Sequence, residues 1–169
     1  MRPRKPLIAL GACGVALLLL SLQAPGYTRM ELTDPDAGRR LAALVLKDGE
    51  PVVLTWRNSL WGLDVTEGFV ARGGLLVQTE VTFAQPDGTP PPTVTPGDVD
   101  DLYHTGGAFS AKGMNRPLSS VVYRIGEIGN PRMRIGDRTI DFKALVGFGG
   151  RVILTAAPAR IYQVLAAGR

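Results

Sequence analysis

The sequence predicts an all-β domain, an antiparallel β-sandwich or barrel-like fold preceded by an N-terminal hydrophobic segment. Short runs of β-branched and aromatic residues recur about every 8–12 residues and end in glycine-rich turns, which is typical of such folds. Glycine (21) and proline (13) are too frequent among the 169 residues for a helical bundle. We therefore divide the chain into an N-terminal segment, residues 1–24, a linker, residues 25–39, and a β-domain, residues 40–169.

The N-terminal segment has the features of an export signal. Three basic residues lie before Leu7, and an uncharged run continues to Leu22. As a helix this run spans roughly 24 Å, which suits a signal peptide or a short membrane anchor. Basic residues stay on the cytoplasmic side, so we expect the rest of the chain at the periplasmic face of the inner membrane. Cleavage after Ala24 and an uncleaved anchor formed by residues 7–24 both remain open.

The first half of the β-domain contains four predicted strands. Residues 41–46 and 52–56 lie on either side of Asp48-Gly49, which predicts a hairpin. Residues 63–71 alternate and are followed by a turn at Arg72-Gly73-Gly74. The next strand is predicted to be half-buried, with one face formed by Leu75, Val77, Thr79, Val81 and Phe83.

A proline-rich stretch separates the two halves. Residues 85–101 contain five prolines, so we expect a long surface loop, of a kind that is usually functional or mobile. Only residues 98–103 and 143–146 are predicted to be helical, each for about one turn. In the second half, strands are predicted at residues 121–125 and 151–155, with a hairpin over residues 133–142 and a last strand at residues 160–165.

Charge is distributed unequally between the two halves. The whole chain has a net charge of +4, but three of its basic residues precede Leu7. Residues 25–101 carry a net charge of −6 and residues 102–169 one of +7. We expect the halves to neutralise one another across strands, and a polarised surface for a partner or anionic ligand is the alternative. No basic cluster is interleaved with aromatic residues, so we predict no binding of nucleic acid.

The composition excludes most catalytic and metal-binding classes. One Cys and one His leave no disulfide framework, Cys-based zinc site or iron–sulfur cluster, and we predict no cofactor and no metal. His104 follows the proline-rich loop and is interpreted as a solvated loop residue. The sequence contains no nucleophile elbow and no phosphate-binding loop. We predict that the protein is not an enzyme, and a hydrolase is the least favoured of the functional hypotheses.

One segment carries a more specific signal. Thr55-Trp56-Arg57-Asn58-Ser59-Leu60-Trp61-Gly62 is followed by Asp64-Val65-Thr66-Glu67. With the later strand at residues 79–83, the loop at 87–90 and the C-terminal hairpin, it resembles the family of exported proteins called domain of unknown function 1850. The resemblance covers residues 45–156. Members of this family tend to be encoded beside TAXI-type TRAP transporters, which implies TRAP transporter subunits as partners.

The resemblance matches several positions of this chain to positions of the family pattern. Trp56 matches the aromatic residue that ends the family's strand, Ser59-Leu60 matches its Ser-Val pair, and Glu67 takes its acidic position. Asn58 stands where the family usually has His. Because Asn cannot take up a proton near neutral pH, this departure counts against an enzyme.

The candidate binding residues are Trp56, Asn58, Ser59, Trp61 and Glu67. Trp56 is expected in the core, Trp61 is equally suited to core or contact surface, and the Asn-Ser pair is typical of a turn. Glu67 shares its strand parity with Val65 and Phe69, so we expect it to point inward. A buried carboxylate needs a partner, and Arg57 or an arginine of the second half is the natural candidate.

Two functions follow. The first is a membrane-tethered, non-catalytic accessory protein of a TRAP-type carboxylate uptake system, for which we expect a flat surface without a deep cavity. The second is a small ligand-binding module with a polar pocket around residues 58–67.

Overall fold

The computed structural model describes residues 22–169, which form two antiparallel sheets. The predicted signal or anchor therefore lies outside the described residues except at its end. Within residues 22–169, no helix has the length and apolar character needed to cross a membrane.

The smaller sheet has four strands in the order β2-β1-β10-β7. These strands are β1 (Gln23–Asp34), β2 (Arg39–Lys47), β7 (Ser120–Arg124) and β10 (Arg151–Arg160).

The larger sheet has six strands in the order β6-β5-β4-β3-β8-β9. These strands are β3 (Pro51–Arg57), β4 (Asp64–Arg72), β5 (Leu75–Ala84), β6 (Phe109–Leu118), β8 (Arg132–Ile135) and β9 (Arg138–Asp141).

Three short helices complete the fold. They are α1 (Val99–Thr105), which follows a 3-10 turn (Pro96–Asp98), α2 (Phe142–Val146) and α3 (Ile161–Ala166). The first two confirm the helices predicted after the proline-rich loop and after the second-half hairpin. The third replaces the strand predicted at residues 160–165, so that prediction is wrong. Val164 is the buried residue of α3. The helix follows directly after β10 and brings Val164 into contact with Ala24 and Ala159.

The predicted linker is wrong, because most of it is strand β1 in the interior of the smaller sheet. Its buried residues alternate with more exposed ones, and the buried set is Thr28, Met30, Leu32 and Asp34. The polar composition of this segment hides the alternation. The Thr28 hydroxyl donates to Asp48 Oδ1 at 2.9 Å and accepts the Gly74 backbone N–H at 3.0 Å, so its burial leaves no polar group unpaired.

Both strands around Asp48-Gly49 form as predicted, but they do not pair with each other. Strand β2 pairs with β1, and β3 pairs with β4 and β8 in the other sheet. The turn crosses from one sheet to the other. Asp48 N–H donates to Gly26 of β1, and Gly49 N–H donates to Ala71 of β4. The predicted hairpin is therefore an arch between the sheets.

The two sheets pack face to face on one continuous core, so the fold is a β-sandwich. Met30, Leu32 and Leu154 come from the smaller sheet, and Leu54 and Phe69 from the larger one. A second core lies under the part of the larger sheet that helix α1 and the loop before it cover. It contains Leu63, Val65, Val81, Phe83, Val99, Phe109, Ala111 and Met114.

The opposite charges of the two halves do meet in ion pairs. Asp36 pairs with Arg151, Asp100 with Arg116 at 3.0 Å, and Glu50 with Arg169 at 2.8 Å. Each pair joins an acidic residue of residues 25–101 to a basic residue of residues 102–169. The arginines of these pairs are exposed by 40–49%, so each pair contributes little stability individually.

Candidate functional site

Glu67 lies at the boundary between the two cores. It is near the middle of β4, opposite Leu54 of β3 and Val81 of β5, with its side chain on the inner face of the larger sheet. The smaller sheet covers this face on one side and helix α1 covers it on the other. Only 8% of Glu67 is exposed. The inward orientation predicted from its parity is confirmed.

Three side chains donate hydrogen bonds to the Glu67 carboxyl group. Gln78 Nε2 and the Tyr103 hydroxyl donate to Oε1 at 3.0 and 3.1 Å. The Tyr123 hydroxyl donates to Oε2 at 2.8 Å. Gln78 belongs to the neighbouring strand, Tyr103 to α1 and Tyr123 to β7 of the smaller sheet. One carboxyl group therefore joins both sheets and the helix.

The expected need of Glu67 for a partner is confirmed, but the partner on the neighbouring strand is the amide Gln78 and not Arg57 or an arginine of the second half. Arg57, the natural candidate, instead donates to Asp64 Oδ1 at 3.2 Å on the exposed end of the strands. A guanidinium beside Asp64 remains solvated, whereas at Glu67 it would be buried among apolar side chains.

A β-bulge places Gln78 next to Glu67. The register changes between Gly68 and Phe69 on β4, so that Gly68 is opposite Glu80 and Phe69 is opposite Gln78. Thr79 is the extra residue, and the inward parity of β5 therefore changes there. Val81 and Phe83 point inward as predicted, but Leu76 and Gln78 replace Leu75 and Thr79 on the inner side.

Tyr103 is held by aromatic packing at the end of helix α1. Its ring makes edge contacts with Phe83 and Phe109, with centroids 5.5 and 6.2 Å away. The helix ends at Gly106, which has a φ of +80°. A Cβ at that position would lie 2.5 Å from Trp61, so only glycine lets the chain pass this closely over the indole. Trp61 thereby positions the helix that carries Tyr103.

A cavity of about 390 Å³ opens beside the Glu67 carboxyl group. We call it the Glu67 pocket. Its volume lies within the range of roughly 300–1,000 Å³ that is typical of small-molecule sites. The buried members Glu67 and Gln78 form its floor, and exposed polar residues form its rim. The full lining consists of Glu67, Gln78, Asp100, Tyr103, His104, Arg116, Leu118, Ser120 and Val121.

Burial raises the pKa of the Glu67 carboxyl above its ordinary value of 4.5. Hydrogen bonds from Tyr123, Tyr103 and Gln78, and the charge of Arg116, act in the opposite direction but do not cancel the effect of burial. Burial and the neighbouring Glu67 also raise the pKa of both tyrosines. The tyrosine hydroxyls therefore stay protonated and available as donors. A buried acid with a perturbed pKa in a cleft is a typical mark of a functional site.

The raised pKa predicts a specific pH dependence of stability. The folded protein holds the Glu67 proton more tightly than the unfolded chain, so the contribution of this group is greatest below pH 4.5 and falls as the pH rises through the raised pKa. We expect the free energy of unfolding of the parent, minus that of Glu67→Gln, to fall with pH and then level off. Urea denaturation between about pH 4 and pH 8 measures this difference. A difference that is constant or rises with pH would contradict it.

The other predicted site residues do not line the Glu67 pocket. Asn58 forms a turn, in which its Oδ1 accepts the backbone N–H groups of Leu60 and Trp61 at 2.9 and 3.1 Å. Ser59 is exposed in the same turn. Trp61 packs against Phe83 with a centroid distance of 6.3 Å. Trp56 is half-buried and contacts the ring of Tyr123 edge-on at 5.6 Å. The tryptophans thus support two elements that carry the tyrosines.

Gln78, Tyr103, Arg116 and Tyr123 were not predicted as site residues. One signal pointed to Tyr123, because it shares its parity with Val121 and Ile125 in a predicted strand and a buried tyrosine hydroxyl needs a partner. His104 belongs to helix α1 rather than a loop, and it is exposed at the rim. Within residues 22–169, no group of three or more His, Cys, Asp or Glu could hold a metal ion.

Two further cavities, of about 350 and 480 Å³, border strand β2. Neither is lined by Asp34 or Glu67, the two buried carboxylates of the described chain. The Asp34 carboxylate accepts the backbone N–H groups of Asp36 and Ala37 at 3.1 and 3.0 Å and stabilises a turn. Of the two buried carboxylates, Glu67 lines one of these three cavities and Asp34 lines none of them. We therefore identify the Glu67 pocket as the candidate site.

Comparison of the chain with protein-family models, with curated proteins and with solved structures gave no match. The fold and the site define the class of this protein directly. It is a β-sandwich with a buried carboxyl group at the floor of an open pocket.

Proposed function

We propose that this protein is a small, exported, non-catalytic ligand-binding module whose site is the Glu67 pocket. One observation carries the proposal: a buried carboxyl group lies at the floor of a cavity of about 390 Å³ and is held by side chains from three separate elements. Fixed polar groups at the bottom of a partly apolar cavity are what orient small ligands in proteins.

A panel of small polar solutes tests this proposal by thermal unfolding. A ligand that binds only the folded protein raises its melting temperature. We expect such a shift for the parent and its loss in Ser120→Trp, because Ser120 is exposed at the rim and an indole there fills the entrance. Ser119→Trp is the matched control, since Ser119 is also exposed but does not line the pocket. Equal shifts in both variants, or none in the parent, would contradict the proposal.

The transport context is proposed from the sequence resemblance. We infer an accessory of a TAXI-type TRAP transporter, located at the periplasmic face of the inner membrane and either anchored or released there. The basic residues before Leu7 and the uncharged run after them support this location. A binding module beside a carboxylate transporter would contact its subunits at the membrane.

Affinity purification of the full chain from native membranes tests this context. We expect TRAP transporter subunits to co-purify with the protein after a C-terminal tag is added. A version that lacks residues 1–21, and so keeps all of strand β1, but is exported by an unrelated signal peptide serves as the control for membrane anchoring. Recovery of the tagged protein without any transporter subunit would contradict the accessory role and would leave the binding site itself unaffected.

A further inference from the structure

Among residues 22–169, the negative charge of Glu67 has no basic hydrogen-bond partner. All three of the donors that contact its carboxyl group, one amide and two phenols, are neutral. Neutral donors stabilise a buried carboxylate but leave its charge uncompensated. The charge can therefore be neutralised either by a proton or by a cation that enters the pocket.

The arginine of the pocket is already engaged at the rim. Arg116 lies opposite Gln78 across the β5–β6 ladder, and its Nη1 donates to Asp100 Oδ1 at 3.0 Å. Both side chains of this pair are substantially exposed, by 49% and 76%. Glu67, Asp100 and Arg116 together give the pocket one more negative than positive charge when all three are ionised. The excess negative charge is that of Glu67, which is the buried residue of the three.

Glu67 also retains the capacity to accept another hydrogen bond. An ionised carboxylate offers about four acceptor positions, and three are used here. Because Glu67 itself lines the cavity, a donor on a bound molecule has access to the side chain. The half-buried side chains of Leu118 and Val121 form an apolar wall in the same cavity. The pocket therefore combines an anionic floor with a surface suited to a hydrocarbon chain.

We propose that the Glu67 pocket binds a primary amine, with its ammonium group on the Glu67 carboxylate and its carbon chain against Leu118 and Val121. This inference rests on the proposed binding function and specifies its ligand class. A primary ammonium supplies three N–H donors and one positive charge, which match the open acceptor position and the uncompensated charge. A carboxylate would meet Glu67 and Asp100 as like charges, with Arg116 already paired.

Three matched probes test the inference on the folded full chain: n-butylamine, n-butanol and butyrate. Each probe has four carbon atoms and a single polar head group. NMR titration follows the backbone signals of Gln78, Leu118 and Val121. We expect butylamine to bind at least about tenfold more tightly than either of the other probes, which corresponds to about 1.4 kcal/mol.

Two variants locate the binding group. Glu67→Gln should weaken butylamine binding at least about tenfold, whereas Asp101→Asn, which removes an exposed carboxylate of helix α1 that does not line the pocket, should change it less than about threefold. Ser120→Trp keeps Glu67 and its partners in place and should abolish the butylamine shifts. This third variant tests the site even if Glu67→Gln does not fold.

The outcomes separate this inference from the proposed function. Preferred binding of butyrate or butanol in the pocket would overturn the amine inference and support a binding module of another specificity. Butylamine binding that Glu67→Gln and Ser120→Trp leave unchanged would overturn it as well. A protein whose pocket signals respond to none of the three probes, and which no solute of the panel stabilises, would contradict both proposals.

Discussion

Glu67→Ala should lower the free energy of unfolding by roughly 1–3 kcal/mol, because it leaves buried donors without an acceptor. Gln78, Tyr103 and Tyr123 all donate to this carboxyl group, and the bond from Tyr123 joins the two sheets. The loss also removes the group that joins helix α1 to both sheets. Urea denaturation at constant pH measures the change.

Two further variants show whether the loss comes from the buried network. Glu67→Gln keeps one acceptor oxygen and replaces the other with an NH2 donor, so we expect it to cost less than Glu67→Ala. Asp64→Ala removes an exposed carboxylate from the same strand, whose partner Arg57 is also largely exposed, and should change stability by less than about 0.5 kcal/mol. Equal stability of the parent, Glu67→Ala and Glu67→Gln would contradict a structural role and favour a group kept for binding alone.

Gly74→Ala should have the larger effect, a loss of roughly 2–5 kcal/mol, which combines a strained backbone with a steric clash. Gly74 has a φ of +83°, and a Cβ there would lie 2.4 Å from Cδ and 2.5 Å from N of Pro158. Pro158 belongs to β10, so the clash would push the β4–β5 turn away from the smaller sheet. The buried hydrogen bond from Gly74 N–H to the Thr28 hydroxyl would be disturbed as well.

Gly73 provides the matched control in the same two-residue turn. Its φ is +58°, and no atom lies within 4 Å of a Cβ built on it. Gly73→Ala should therefore cost only the backbone strain, roughly 1–2 kcal/mol. Thermal and urea denaturation of the two variants beside the parent separate strain from packing. A similar loss in both variants would show that the contact with Pro158 is unimportant.

A buried carboxyl group with neutral partners carries a desolvation penalty that apolar side chains in the core of a β-sandwich do not have. Replacing a whole buried polar network by apolar side chains of similar volume is often neutral or stabilising, whereas removing Glu67 alone leaves its three donors without an acceptor. Retaining Glu67 therefore agrees with a use beyond stability. Its position at the floor of a pocket, between helix α1 and strand β7, supports a binding role.

The fold class could be predicted from local sequence patterns. The strands β3, β4, β5, β7 and β8 and the turn at Gly73-Gly74 form where alternation and glycine placed them. Strand β6 was not predicted, because Gly113 and Pro117 interrupt its pattern. A sheet tolerates these residues there since β6 is an edge strand, where a missing N–H breaks fewer hydrogen bonds.

The inward orientation of Glu67 and its need for a partner were also determined by the sequence itself. Strand residues alternate between two faces, so Val65 and Phe69 on the same parity were sufficient to place Glu67 inside. Strand alternation did not determine which side chains would donate hydrogen bonds to Glu67. Tyr103 and Tyr123 are separated from Glu67 by 36 and 56 residues along the chain.

Only the tertiary structure decided those partners. The arch at Asp48-Gly49 sends the chain from one sheet to the other, and the bulge at Thr79 turns Gln78 inward. Both depend on how the sheets pack over one another, and a local pattern contains no information on that packing. Sequence periodicity fixes the face on which a side chain lies. The partner across the core depends on strand order and register, which long-range burial selects.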